Sequence, residues 1–135
     1  MLDWTQIVSA VRNELEVTGE GPQWIAGRLP GSPRVIKLRE RQVNGSPWVQ
    51  VLVAVMPAKS AKLFAVLQDS ALRMVGAPAI DERTLVVREG LSMAAASWQG
   101  IKQLATVLHH EAERMAAQHL APPAETSELA TNFAE

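Results

Sequence analysis

The sequence predicts an α+β fold, in which helices pack on an antiparallel sheet in the order α-β-β-β-α-β-β-α. Apolar residues recur at helical spacing near both ends of the chain, whereas several stretches between them alternate in polarity as strands do. Two of these stretches are joined by Asn44-Gly45, a pair that favours a tight hairpin turn. The length of 135 residues fits one domain. We expect that domain over residues 1–120, followed by a disordered acidic tail over residues 121–135.

The first element is a short amphipathic helix that begins after Asp3. The Asp3 side chain can cap this helix, and Gln6 can reach back to the backbone N–H of Asp3, as in a capping box. We expect the helix to end near Thr18-Gly19, because glycine tolerates the left-handed conformation that ends many helices. The apolar stripe consists of Trp4, Ile7, Val8, Val11 and Leu15.

Glycine and proline are dense over residues 19–34, which excludes a helix there, although residues 24–29 are a candidate short strand. A hairpin follows, with residues 34–43 as one strand and residues 48–56 as the other. Both faces of the second strand are apolar except at Gln50. Such a strand should be covered on both faces, by helices of the same chain or by a second subunit.

A second helix follows, which Ser60 can cap and which should run to about Asp69. Its apolar residues at helical spacing are Leu63, Phe64 and Leu67. Residues 71–81 contain glycine and proline and should be extended. The tripeptide Asp81-Glu82-Arg83 is then the predicted turn before a strand over Thr84–Ser92.

The last helix should begin after Ser97 and run to about His119. Its stripe consists of Trp98, Ile101, Leu104, Leu108, Ala112 and Met115. The segment that follows contains Pro122-Pro123, three glutamates and no basic residue. These features are typical of a disordered tail.

Composition restricts the class of protein. Hydrophobic residues make up 47% and charged residues 20% of the chain, which excludes a wholly disordered protein. The net charge of −1 argues against a dedicated nucleic-acid or anionic-membrane binder. A chain without cysteine has no disulfides, thiolate zinc sites or cysteine nucleophiles. The longest apolar run, residues 51–56, is far shorter than the ~20 residues of a membrane helix, and no secretory signal is visible, so we expect a cytoplasmic protein.

The one candidate metal group in the sequence is a cluster of histidines and glutamates in the last helix. It consists of His109, His110, Glu111, Glu113 and His119. A zinc site needs three or four convergent ligands, and the HExxH spacing of metalloproteases is absent, so a solvated polar face is the favoured interpretation. The sequence also lacks a serine elbow and a phosphate-binding loop. We expect no metal, no cofactor and no enzymatic activity.

A basic stripe runs along the predicted strand over residues 34–43. It consists of Arg34, Lys37, Arg39 and Arg41, with Glu40 as the only acidic residue among them. One interpretation is contact with phosphate or with an acidic partner. The other is a solvated sheet face whose long side chains protect an edge strand. The second is favoured because no aromatic residues are interleaved as a stacking platform, and we expect no nucleic-acid partner.

The order of apolar segments over residues 2–120 follows a family pattern. A leucine-rich helix end leads into a small-residue strand, a tight acidic turn, a second apolar strand and a closing helix. The segments are residues 64–72, 74–76, 79–81, 84–87 and 90–91, with the long helix from Trp98. In this pattern the chain resembles the YbjN-like group, which shares the fold of type III secretion chaperones.

This resemblance implies a single chaperone-like domain that forms a homodimer, has no enzymatic activity and holds an extended segment of a partner protein. Unpaired strand edges would supply backbone hydrogen bonds, and apolar grooves would supply specificity. The implied dimer interface lies around Leu63, Leu67, Leu72 and Met74. The implied partner contacts lie near Val11, Leu15, Ile36 and Trp48. The alternative is a regulatory or structural subunit that uses the same surfaces within a larger protein assembly.

Overall fold

The secondary structure consists of helices near both ends of the described chain, with strands and one short helix between them. The structure, a computed structural model, describes residues 2–70 and 75–120. The helices are α1 (Trp4–Glu14), α2 (Leu63–Ser70) and α3 (Trp98–His119). The strands are β1 (Glu16–Gly21), β2 (Trp24–Arg28), β3 (Val35–Val43), β4 (Ser46–Pro57), β5 (Ala77–Asp81) and β6 (Thr84–Ser92). A short 3₁₀ helix, Ala58–Ser60, connects β4 to α2.

All these strands belong to one antiparallel sheet in the order β1-β2-β3-β4-β6-β5. The predicted α+β class with an antiparallel sheet is confirmed. Four strands rather than three precede the middle helix, because residues 16–21 pair with β2 and do not continue α1. The sheet therefore has β1 at one edge and β5 at the other.

The additional strand, β1, depends on glycines that leave room for an aromatic ring. Gly21 lies opposite Trp24 of β2. A Cβ atom at Gly21 would overlap the Trp24 indole, and one at Gly19 would lie 3.2 Å from the same ring. The glycines that suggested a connector in the sequence thus allow this ring to lie against the strand. Helix α1 ends at Glu14, earlier than the predicted end near Thr18-Gly19, because the next residues pair with β2.

Signals confined to a few neighbouring residues are confirmed. The backbone N–H of Gln6 donates to Asp3 Oδ1 at 2.8 Å, and the backbone N–H of Asp3 donates to Gln6 Oε1 at 2.9 Å, which completes the predicted capping box. The Ser97 hydroxyl caps α3 in the predicted way and accepts a hydrogen bond at 3.0 Å. At the β3–β4 hairpin, Asn44 and Gly45 have φ angles of 50° and 80°, as a tight turn requires.

The hydrophobic core lies between one face of the sheet, here called the inner face, and the helices. Helix α3 packs across β4 and β6, while α1 contacts β1 and β2. Val49, Val51 and Val53 of β4 are fully buried on the inner face. On the opposite side of β4 no described helix contributes to the core, yet Leu52 is only 3% exposed. A second subunit is not needed to bury Leu52.

The predicted start of the second helix differs from the structure. Ser60 lies in the 3₁₀ helix and α2 begins at Leu63, whereas the turn between β5 and β6 is as predicted, with positive φ angles at Glu82 and Arg83. Among the described residues, no helix is long and apolar enough to span a membrane. The predicted tail, residues 121–135, lies outside the described residues, and the division into residues 1–120 and a tail stays a prediction.

Candidate functional site

An apolar cleft opens between the end of α1, strand β3 and the first turns of α3. Its polar rim consists of Glu14, Lys102 and Thr106. Its apolar lining consists of Leu15, Leu29, Ile36, Leu38, Trp98, Ile101 and Ala105. Clefts of this composition, apolar with a few polar groups at the rim, are the usual form of a binding site.

One carboxylate connects the two helices at the mouth of this cleft. The Glu14 side chain of α1 accepts a hydrogen bond from the Trp98 indole N–H and one from Lys102 Nζ at 3.0 Å. These hydrogen bonds, with that from Lys102 the larger influence, lower the pKa of Glu14 from its usual value. The carboxylate is thus kept ionised and positions the Trp98 ring at the opening.

A second apolar surface lies on α2, which turns most of its large side chains to solvent. Phe64 is 75% exposed and Leu67 is 63% exposed, and Leu63 lies beside them, while Val66 on the opposite side is buried. We call Leu63, Phe64 and Leu67 the α2 face. Neighbouring exposed apolar side chains of this kind form a candidate interaction surface.

Polar contacts with α3 fix the orientation of α2. Asp69 of α2 accepts from Arg114 at 3.0 Å and lies 3.2 Å from His119 Nε2. The backbone N–H of Lys62 donates to the His119 carbonyl at 2.7 Å. Hydrogen bonds, first to Glu111 and then to Asp69, raise the pKa of Arg114, because both carboxylates favour the charged guanidinium. Because these contacts bind one side of α2 to α3, the α2 face points away from the core.

Lys37, Arg39 and Arg41 of the basic stripe lie on the outer face of the sheet, which is the face turned away from the helices. Strand β3 lies between β2 and β4, so the interpretation of the stripe as protection for an edge strand is wrong. Lys37 Nζ and an Arg39 guanidinium nitrogen lie 3.1 and 2.8 Å from the Asp81 carboxylate. Arg34 donates instead to the carbonyls of Ala54 and Val55, at 3.1 and 2.7 Å.

These two cations favour the ionised form of the Asp81 carboxylate. Its pKa is lowered mainly by the hydrogen bond from Arg39, then by that from Lys37, against an opposing effect of burial. The Lys37 ammonium also lies 5.0 Å from the centre of the Trp24 ring, within the range of a cation–π contact. The turn at the end of β5 is therefore tied across the outer face to β3.

The residues predicted to contact a partner do not form one surface. Val11 and Ile36 are 1% and 4% exposed, Val11 in the core and Ile36 at the base of the cleft. Leu15 lines the cleft and is half-buried. Trp48 belongs to the outer face, where its ring lies over Gly90. Their role in partner binding stays a prediction.

Of the residues predicted at a dimer interface, Leu63 and Leu67 lie on the α2 face, whereas Leu72 and Met74 are outside the described residues. Sequence reasoning missed Phe64 as an exposed residue. Trp98, predicted in the apolar stripe of α3, packs against the core and also lines the cleft. Helical spacing shows which residues share a face, and it does not show whether that face is covered.

The histidine cluster connects elements of the fold. His109 Nε2 lies 2.8 Å from the Ser32 hydroxyl, and its Nδ1 lies 3.3 Å from Glu113. His119 contacts Asp69 of α2, and His110 is exposed. Within residues 2–70 and 75–120, no group of three or more potential ligands could hold a metal ion.

Comparison with known proteins identifies the fold but no family. No protein-family model matches the sequence, and no curated protein matches it. Among solved structures, the chain is similar to a chain in the structure of the HopA1–SchA chaperone–effector complex, with a TM-score of 0.60 and 10% sequence identity. The similarity covers 81% of this chain and 87% of that chain. The chain therefore shares the fold of that chain, while the more specific resemblance to the YbjN-like group stays a prediction.

Proposed function

We propose that this protein is a non-enzymatic, homodimeric binding module that holds an extended segment of a partner polypeptide. The observation that carries the proposal is the apolar cleft between α1, β3 and α3, with Leu15 and Trp98 at its opening. The similarity of the whole chain to a chain of a chaperone–effector complex supports the same role. The proposal includes the cytoplasmic location expected from a chain without cysteine.

The cleft suits a peptide segment because it combines an apolar interior with paired charges at its rim. Apolar side chains of the segment would enter between Leu15 and Trp98 and be removed from water, at about 25 cal/mol for each Å² of apolar area. Glu14 and Lys102 at the rim offer one acceptor and one donor to the backbone of the segment. The adjacent strand β1 is an edge of the sheet, and an extended segment can add to such an edge.

Self-association through the α2 face would leave the cleft free. Helix α3 has 22 residues and spans about 33 Å. The cleft lies at the first turns of α3, near Trp98, whereas α2 is held at its last turns by Arg114 and His119. A homodimer joined by α2 would therefore keep the two clefts away from the interface.

The test of the binding role is a selection of random short peptides on the purified protein, followed by a cleft-filling substitution. We expect the enriched peptides to carry apolar residues. Thr106→Trp places a large ring at the rim of the cleft. It should lower the affinity for an enriched peptide by about tenfold or more, which corresponds to ~1.4 kcal/mol of binding free energy. Affinity is measured by fluorescence anisotropy with a labelled peptide.

The matched control is Gln103→Trp, because Gln103 is exposed on the same helix and does not line the cleft. It should leave the affinity for the enriched peptide within about twofold of the unmodified protein. Equal weakening by both variants, or a failure to enrich any apolar peptide, would refute the cleft as the binding site.

A further inference from the structure

The outer face of the sheet carries a concentration of positive charge that the cleft does not use. Strand pairing and alternation place on this face five cationic side chains: Arg28, Lys37, Arg39, Arg41 and Arg88. The described strands contribute two carboxylates to the same face, Glu16 and Asp81, and Glu82 of the β5–β6 turn borders it, which leaves a surplus of two positive charges. The whole chain has a net charge of −1. The charges of this protein are thus strongly separated.

The outer face is also open, because the described helices all pack on the other side. The buried residues of α1, α2 and α3 belong to one cluster with the inner face. Leu52 and Val86 on the outer face are nevertheless buried, although they are not members of the inner-face cluster. The long side chains around them, such as Lys37, cover them with their aliphatic stems. The cationic groups therefore lie above buried apolar side chains, where their interaction with an anion is stronger than in bulk water.

Two cations of the outer face already bind a carboxylate, that of Asp81, and an acidic residue of a partner could bind them in the same way. Asp81 reaches it from the turn after β5 and contacts Lys37 and Arg39 through different oxygens, at 3.1 and 2.8 Å. Arg41 and Arg88 are exposed, and neither forms an ion pair with another residue in the described part of the chain. Two further cations are thus available beside the occupied pair.

We propose that the outer face docks an acidic stretch of the partner polypeptide, whose carboxylates bind Arg41 and Arg88 and compete with Asp81 for Lys37 and Arg39. The inference rests on the proposed function and adds the chemistry of the partner to it. A bound segment would continue from the cleft on the inner side to this cationic surface. Electrostatic complementarity of this kind mainly increases the association rate and selects the partner.

A polypeptide is favoured over a single-stranded nucleic acid by the state of the two tryptophans. Stacking of bases requires a free aromatic face. The Trp24 ring lies against Gly21, with the Lys37 ammonium 5.0 Å from its centre, and the Trp48 ring lies over Gly90. Both rings are engaged by the sheet, whereas the paired cations already bind a carboxylate. A carboxylate of a polypeptide therefore fits the outer face better than a single-stranded nucleic acid does.

The test uses a synthetic peptide of glutamate and serine, and the same peptide with glutamine in place of glutamate, both labelled for fluorescence anisotropy. The glutamate peptide should bind, and its affinity should fall as salt is added. Arg41→Glu combined with Arg88→Glu should weaken that binding by about tenfold or more. The matched control, Lys59→Glu combined with Lys62→Glu, makes the same change in net charge away from the outer face and should change the affinity less than about twofold.

A second variant tests the competition with Asp81. Asp81→Asn frees Lys37 and Arg39 and should strengthen binding of the glutamate peptide several-fold. Equal binding of the glutamine peptide, an equal effect of the control variant, or weaker binding by Asp81→Asn would overturn the proposal. Tighter binding of an oligothymidine than of the glutamate peptide would also overturn it, in favour of a nucleic-acid surface.

The two proposals fail separately. Thr106→Trp should not alter binding of the glutamate peptide, and the Arg41 and Arg88 substitutions should not alter binding of the apolar peptide selected on the cleft. If the glutamate peptide fails to bind while the apolar peptide binds, the outer-face proposal is wrong and the cleft stands. If the reverse holds, the cleft proposal is wrong.

Discussion

At the scale of single residues, the charged side chains of this protein connect elements of structure that are far apart in the sequence. Glu14 joins α1 to α3, Asp69 joins α2 to α3, and Asp81 joins the β5–β6 turn to β3. Each carboxylate contacts at least one cation from another element. The histidines have the same kind of role, since His109 contacts Ser32 and His119 contacts Asp69.

The ion pairs of Asp81 should make stability depend on pH at the acidic end of the scale. The lowered pKa of Asp81 means that the folded state favours the carboxylate. Its contribution is therefore present above the unfolded pKa, about 3.9, and is lost as the pH falls through the lower folded value. We expect Asp81→Asn to reduce the free energy of unfolding by about 1 kcal/mol at neutral pH.

The difference between the unmodified protein and Asp81→Asn should shrink as the pH falls below about 4, measured by urea denaturation. Glu82→Gln is the control, because Glu82 is exposed in the same turn and forms no ion pair within the described residues. A difference that is the same at pH values on both sides of about 4 would show that the carboxylate charge of Asp81 does not stabilise the fold.

At the scale of elements, the helix starts are determined locally and the strand partners are not. Asp3 and Ser97 each cap the helix that follows within the same few residues. Strand β1 exists only because β2 returns beside it, with Trp24 seated on Gly19 and Gly21. An end of a helix can therefore be located from a short window of sequence, while an edge strand of this kind cannot.

The capping box of α1 should contribute measurably to stability. Asp3→Ala removes the acceptor for the Gln6 backbone N–H and should lower the free energy of unfolding by about 1 kcal/mol. The measurement is urea denaturation monitored by circular dichroism. Thr5→Ala, at an exposed position in the first turn of the same helix, serves as control. It should lower the free energy of unfolding by less than about 0.5 kcal/mol. Equal losses in both variants would mean that the Asp3 side chain does not cap the helix.

At the scale of the whole molecule, three surfaces lie on different parts of the fold. The cleft is at the first turns of α3, the α2 face is beside its last turns, and the outer face is on the other side of the sheet. Because these surfaces do not overlap, a dimer contact and a bound segment can exist at the same time. The expected assembly is two chains joined by α2 with one partner segment on each.

The α2 face should decide the oligomeric state. Phe64→Asp combined with Leu67→Asp places charge on its two most exposed apolar positions and should convert a dimer to a monomer. Each of these side chains stabilises the dimer by up to about 2 kcal/mol when buried. The measurement is sedimentation equilibrium over a range of protein concentrations, with circular dichroism to confirm the fold. The control, Gln99→Asp combined with Gln103→Asp at exposed positions on the first turns of α3, adds the same charge away from α2 and should leave the dimer intact. An unmodified protein that is monomeric at every concentration would contradict the proposed homodimer.

Much of the fold could be predicted because its signals are local. The Asn44-Gly45 turn, the caps of α1 and α3 and the strand Thr84–Ser92 all depend on residues within a few positions of one another. The site was predicted less well. Leu63 and Leu67 were placed on a surface that the structure leaves exposed, but Val11 proved to be buried in the core.

The sequence alone determined where helices and hairpins begin and which residues share a face, since backbone sterics, capping and alternation act between near neighbours. Only the tertiary structure decided which faces are covered. It paired β1 with β2, brought Asp81 across the sheet to Lys37 and Arg39, and turned Phe64 to solvent while burying Val66. The physical reason is that coverage depends on the packing of distant elements, and the period of a pattern carries no information about which element packs against it.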